Sequence, residues 1–193
     1  METKQILVIA GPTGSGESTI TNEIIKRYPH KVVRLITSTT REPRPGEQNG
    51  VDYFFFTKEQ FAEARAAGQL LEETYVANRD TYYGTYKPDL EEKLSRGFIV
   101  IVNPDLVGAK FYKEHYNATT VFVKSANINE LKGRLQKRNP EMSEEEHAKR
   151  IENAVLEFND EPQYDYAVIN GDGELVKAVE EVIEIMKKEG YNV

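Results

Sequence analysis

The sequence has 193 residues, with 25 Lys and Arg against 32 Asp and Glu, a formal net charge of −7. That length suits one domain with a substantial core, and 39% hydrophobic with 30% charged residues argues against a disordered chain. No apolar run reaches the roughly 18 residues of a membrane-spanning helix, zero cysteines exclude disulfides and thiolate chemistry, and the acidic balance argues against a nucleic-acid coat.

In chain order, Gln5 to Ala10 (QILVIA) is a continuous apolar run, as in a buried parallel strand. A glycine-rich turn follows, then a helix-compatible stretch from Ser18 to Tyr28. Residues 34 to 95 are polar and turn-rich and read as an inserted lobe. Within them, Thr57-Lys58-Glu59-Gln60 has capping-box spacing ahead of a short helix ended by Gly68, and Pro88 to Arg96 reads as a helix stopped by Gly97. Phe98 to Val102 and Thr120 to Val123 read as buried strands, and Ala167 to Ile169 as another. Helices are expected at Ile128 to Arg138, from the capping box at Ser143 to Phe158, and at Glu174 to Lys188. The last puts Leu175, Val179, Val182, Ile183 and Met186 on one face. Strands alternating with amphipathic helices indicate an α/β fold with a mostly parallel sheet flanked by helices.

Gly11-Pro12-Thr13-Gly14-Ser15-Gly16-Glu17-Ser18-Thr19 has the spacing of a phosphate loop, G-x-x-x-x-G-K-[ST], with Glu17 where lysine belongs. The glycines let backbone N–H groups turn around phosphate oxygens, the following helix N-terminus adds its positive end, and Ser18 supplies a hydroxyl for Mg²⁺. Replacing a cation by an anion changes the local charge by two units, each worth about 4 kcal/mol at 4 Å and an effective dielectric near 20. A surviving penalty of about 3 kcal/mol would slow phosphoryl transfer more than about a hundredfold.

In the inserted segment, Thr37-Ser-Thr-Thr-Arg41-Glu-Pro-Arg44-Pro-Gly-Glu47 and Tyr53 gather two arginines, a carboxylate and hydroxyls. The two arginines suit a monophosphate by forked hydrogen bonds. Glu72 and the Tyr82-Tyr83-Gly84-Thr85 string follow. A carboxylate with a hydroxyl suits guanine, whose N1–H and 2-amino group donate together.

From residue 5 to about 170 the chain resembles the guanylate kinases, which transfer phosphate from ATP to GMP; the T-T-R-x-P-R-x-G-E string carries the resemblance. It implies a P-loop kinase fold: a core of residues 1–33 and 96–193, a GMP-binding lobe of 34–95 and a helical lid at about 137–149 with a hinge at Asn139-Pro140. By the same resemblance Thr37, Arg41, Arg44, Tyr53 and Tyr83 would bind the GMP phosphate, with Glu47 beside it, and Glu72 and Thr85 would read guanine. Thr37 stands where the family usually has serine. Asn103-Pro104-Asp105 resembles the family's D-x-D stretch: Asp105 falls on the second Asp, a GMP-binding position, while Asn103 replaces the first and Val107 replaces a glutamine. Arg134, Arg138 and Arg150 match lid arginines that close over ATP and join Arg41 as the catalytic set. Residues 11 to 19 would hold ATP with Mg²⁺ on Ser18.

The resemblance leaves two functions open. One is a guanylate kinase impaired by Glu17 and Asn103. The other is a catalytically inactive module of the same fold that binds GMP or a phosphorylated partner. Either way the expected partners are small-molecule nucleotides, GMP and ATP, rather than nucleic acid or membrane. A monomer or homodimer in the cytoplasm is expected.

Overall fold

Strand β1 (Ile6–Ala10) is buried along its whole length, and its period of two sends alternate side chains to two separate cores. The computed structural model describes residues 4–138 and 140–193. After β1 come α1 (Glu17–Arg27), β2 (Val32–Arg34), β3 (Thr37–Thr39), β4 (Phe54–Phe55) and α2 (Lys58–Ala66). β5 (Leu70–Val76), β6 (Thr81–Tyr86), α3 (Lys87–Ser95), β7 (Ile99–Val102), α4 (Leu106–Tyr116) and β8 (Thr119–Lys124) follow. The chain ends with α5 (Ile128–Arg138), α6 (Glu144–Glu157), β9 (Tyr166–Ile169) and α7 (Leu175–Lys188).

Five strands form a wholly parallel sheet in the order β2-β7-β1-β8-β9. Leu7 and Ile9 face one core with Ile20 and Ile24 of α1 and Val179, Val182, Ile183 and Met186 of α7. Ile6, Val8 and Ala10 face the other, closed by Leu90 of α3 and by Ala109 and Tyr112 of α4. Each such large apolar side chain contributes roughly 1.5–3 kcal/mol by leaving water. In an open parallel sheet the ligand crevice lies outside the carboxyl ends of the strands, where the strand order reverses. Here the phosphate loop leaves β1, Asn103 leaves β7, Arg34 ends β2 and Asn170 leaves β9, all at that edge.

Residues 37 to 86 contribute a second sheet in the order β4-β3-β6-β5, with β3 parallel to β4 and the other pairs antiparallel. Phe61 of α2 stacks on Tyr82 beneath this sheet, and Thr57 caps α2 in the expected capping box. α5 and α6 share a small core of Leu131, Leu135 and Ala154. The anticipated lid falls on their connection; Asn139 of the anticipated hinge lies outside the described residues.

Element edges move by one or two residues from their expected positions, and α5 falls as expected. Helix α4 and the β5–β6 hairpin were not anticipated. α4 buries only Gly108, Ala109 and Tyr112 and leaves Val107 73% exposed, so its apolar stripe is faint. Its start was readable from Asp105, whose carboxylate accepts the Gly108 amide at 2.9 Å as an N-cap.

Candidate active site

The loop from Gly11 to Gly16 is held by contacts that only glycine permits at two points. A Cβ at Gly11 would lie 2.0 Å from the Val123 carbonyl oxygen. Gly16 has φ +97°, and a Cβ there would lie 2.2 Å from Asn170 Nδ2. Asn170 uses that nitrogen to donate to the Ser15 carbonyl at 2.7 Å, so β9 braces the loop from the side. Leu131 and Leu135 of α5 lie over Gly14. Ser18 and Thr19, in the first turn of α1, are exposed. Beside them a cleft of about 450 Å³ is lined by Gly14, Gly16, Glu17, Ser18, Arg134 and Arg138, among others. The structure therefore brings the predicted loop and two of the three predicted lid arginines together.

Glu17 is half-buried in that cleft. Desolvation, reinforced by the Glu157 carboxylate and partly offset by Arg138 and Arg34, pushes its carboxyl up to about 8. At neutral pH most of these side chains are then protonated. The two-unit charge change expected from the sequence becomes nearer one unit. Glu157, at the end of α6, accepts the Thr13 amide at 3.3 Å, and burial raises its own pKa.

The predicted lid arginines differ in their surroundings. Arg134 pairs with Asp172 at 2.8 Å and donates to the carbonyls of Asn170 (2.8 Å) and Ser15 (3.3 Å). It ties α5 to both the phosphate loop and the segment after β9. Arg138 is exposed and acts on Glu17 through space. Arg150, half-buried on α6, does not line this cleft.

Across the sheet edge lies a second cavity of about 280 Å³. It is lined by Thr37, Tyr53, Glu72, Tyr83, Thr85, Asn103 and Asp105, together with Tyr112, which the sequence reading missed. Thr85 donates to Glu72 Oε1 at 2.7 Å and shares a 2.6 Å hydrogen bond with the buried Tyr112 hydroxyl. Burial raises the Glu72 pKa more than the Thr85 hydrogen bond lowers it. Tyr112 was findable only through α4, which presents it to the hairpin.

Arg41 stands on the rim, its guanidinium 5.4 Å from the Tyr53 ring centre and 5.6 Å from that of Phe55. Glu47, expected merely beside a bound phosphate, grips Arg41 through two hydrogen bonds of 2.9 and 3.0 Å. It also accepts the Arg44 amide at 2.7 Å. The Arg41 hydrogen bond, then the Arg44 amide, hold the Glu47 carboxyl below its ordinary pKa. The Arg44 side chain is exposed and does not line the cavity.

Asn103 donates to the Ile9 carbonyl at 2.8 Å and to Thr21 Oγ1 at 3.1 Å, knitting the ends of β1 and β7 to α1. Asp105 faces the cavity while capping α4. Arg34 is a further cation that the sequence reading missed. It ends β2 and donates from Nη2 to the Ser18 carbonyl at 3.1 Å.

A glycine-rich loop between the central strand of a parallel sheet and a helix, facing a polar pocket built on a second sheet, defines a P-loop kinase of the nucleoside monophosphate type. The guanylate kinase family profile matches residues 3–189. The guanylate kinase of Wolbachia from Brugia malayi is 41% identical over 187 residues, 95% of this chain and 92% of that protein. The guanylate kinase of Helicobacter pylori strain 26695 is 39% identical over 183 residues, covering 94% and 86%. A crystal structure of guanylate kinase from Anaplasma phagocytophilum superposes with a TM-score of 0.74 at 23% identity, covering 98% of this chain and 88% of that one. The chain belongs to the guanylate kinase family.

Proposed function

We propose that the protein transfers the γ-phosphate of ATP to GMP, giving ADP and GDP, at a rate lowered by Glu17 and Asn103. The observation that carries this reading is the Tyr112–Thr85–Glu72 hydrogen-bonded chain in a pocket facing the phosphate loop. Guanine donating from N1–H and its 2-amino group would meet the Glu72 carboxylate, held in place by Thr85, which Tyr112 holds in turn. The GMP phosphate would reach Arg41, Arg44, Thr37, Tyr53 and Tyr83 on the rim, drawing the Arg41 guanidinium partly away from Glu47. The lobe of residues 34 to 95 would carry the acceptor toward the core.

On the donor side the triphosphate would lie along residues 11 to 19, with Arg134, Arg138 and Arg150 of the lid toward its outer oxygens. Transfer between two bound phosphates needs no protein nucleophile; alignment and positive charge do the work. Among the described residues no cluster of three His, Asp or Glu side chains could hold a metal ion without a ligand. The exposed Ser18 hydroxyl, a hard oxygen donor beside the phosphate site, fits Mg²⁺ arriving with ATP. When bound, that ion neutralises phosphate charge. We place the protein in the cytoplasm, as a monomer or homodimer, with GMP and ATP as its partners.

Purified protein given ATP, Mg²⁺ and GMP should form GDP, and absence of turnover above background would sink the catalytic reading. The second reading, a GMP-binding module without catalysis, is favoured by Glu17 and Asn103. Calorimetry separates the two: the module binds GMP and not Mg-ATP.

A further inference from the structure

Arg34 has no role in the reading above, yet its surroundings are those of a working cation. It lies at the carboxyl end of β2, paired with Ile101 of β7, on the sheet edge that carries the phosphate loop. Its Nη2 donates to the carbonyl of Ser18, in the first turn of α1. Its Nε is buried and has no partner. Its titratable neighbours are Glu17 on the donor side and the Tyr53 hydroxyl on the acceptor side. Among the described residues its guanidinium forms no ion pair, and the Ser18 carbonyl is its one hydrogen-bond partner.

Arg34 is half-buried, and a partly desolvated guanidinium without a carboxylate partner carries a cost that an incoming anion relieves. The groups flanking Arg34 belong to the two phosphate-binding halves of the cleft. Its planar fork suits phosphate oxygens, and its terminal nitrogens reach the first turn of α1, where Nη2 meets the Ser18 carbonyl.

We infer that Arg34 contacts the transferring phosphoryl group and supplies the positive charge that the phosphate loop lacks at Glu17. The inference rests on the kinase reading above. In the step concerned, the bond from the γ-phosphorus to the β–γ bridging oxygen breaks, and that oxygen keeps the electron pair and leaves as part of ADP. A bond from that phosphorus to a GMP phosphate oxygen forms. Arg34 neither gives nor takes a proton; it stays cationic and stabilises charge on the three equatorial oxygens. Burial lowers the Arg34 pKa more than the neighbouring Glu17 raises it, and a guanidinium in a protein stays protonated regardless.

The test combines kinetics and binding. Arg34→Met in the parent protein should lower kcat at least thirtyfold, with the KM for GMP changed less than about threefold. Adding Glu17→Lys to Arg34→Met should restore kcat to within about tenfold of Glu17→Lys alone, because the lysine takes over the charge. Equal losses in the two backgrounds, or no loss in the parent, would overturn the inference while leaving the kinase reading intact. A thermal melt and GMP calorimetry on Arg34→Met guard against misfolding, and Arg34→Lys should recover part of the rate where a purely packing role would not.

If the parent forms no GDP, the kinase reading fails and binding decides about Arg34. An adenosine–guanosine pentaphosphate bisubstrate analogue, titrated calorimetrically, should bind Arg34→Met at least tenfold more weakly than the parent. Unchanged affinity would overturn the role of Arg34 on its own, and no binding to the parent would overturn both readings.

Discussion

Glu17 occupies the one position in the loop where chemistry calls for a cation, and its surroundings keep most of it uncharged near pH 7. That makes slow catalysis compatible with the substitution: a neutral carboxyl withholds a favourable interaction, whereas a carboxylate would repel the substrate. Glu17→Lys should raise GMP kinase activity at least tenfold, measured by GDP formation beside the parent. The protonation has a stability consequence too. Its folded pKa of about 8 lies above the ordinary 4.5, so the stabilisation is complete below pH 4.5 and is lost as pH rises through about 8. Glu17→Gln does not titrate. In urea melts, the parent should lose about 4 kcal/mol relative to Glu17→Gln between pH 5 and pH 9. A difference that stays constant would mean that Glu17 is ionised throughout. In the acceptor pocket, Glu72→Gln should weaken GMP binding ten- to hundredfold, the worth of a charge-assisted hydrogen bond, with little change in melting temperature. Calorimetry beside a thermal melt checks both halves. The identity of Glu17 was plain in the sequence, but its protonation was not, because Glu157 comes from α6 and Arg34 from β2. Arg34 itself reads as an ordinary charged residue closing a three-residue strand.

The phosphate loop depends on neighbours that arrive from the far end of the chain. Gly16→Ala would place a side chain at a left-handed φ, costing about 1–2 kcal/mol, and push away the Asn170 amide that holds Ser15. We expect a total loss of about 2–4 kcal/mol in urea unfolding, together with loss of ATP binding; unchanged stability would mean that Asn170 does not brace the loop. The elements themselves were readable to different degrees. α2 and α6 announced their first turns through the capping boxes at Thr57 and Ser143. α7 announced itself through its apolar stripe. α4 and the β5–β6 hairpin stayed hidden because their buried faces are small, aromatic or polar, as with Thr81 and Thr85 in β6. Tyr112 stayed hidden with them.

The net charge of −7 describes the surface poorly at the crevice, where Arg34 ends β2, Arg134 and Arg138 of α5 line the cleft beside the phosphate loop, and Arg41 stands on the rim of the second cavity. Screening confines each surface charge to about 10 Å at 0.1 M salt, so a nucleotide in the crevice meets the arginines before the acidic total. Ligand-dependent stability follows from that placement. GMP at a hundred times its Kd should add about 2.7 kcal/mol to stability, raising the melting temperature by roughly 5–10 °C for a domain of this size. Mg-ATP at equal concentration should raise it less, and a larger rise with ATP would mean that Glu17 does not weaken the donor side. The parallel class and the loop position were evident from apolar runs alternating with amphipathic helices. The way two distant segments meet at one edge was not, since it depends on strand order rather than on any local pattern.

Strand β1 sits in the middle of its sheet, with β7 on one side and β8 on the other. Ile6 pairs with Val100 and Leu7 with Thr119, so neither flank of the strand can be completed until the chain has closed loops of more than ninety residues. Such long-range parallel pairings form slowly, because the loop-closure entropy is spent before the contacts reward it. The turn that grips phosphate hangs from the end of this strand, and its brace, Asn170, follows β9. During refolding the nucleotide site therefore matures late, after helices such as α2 that need only local contacts. A partly folded chain would show helical signal well before it could recognise its ligand.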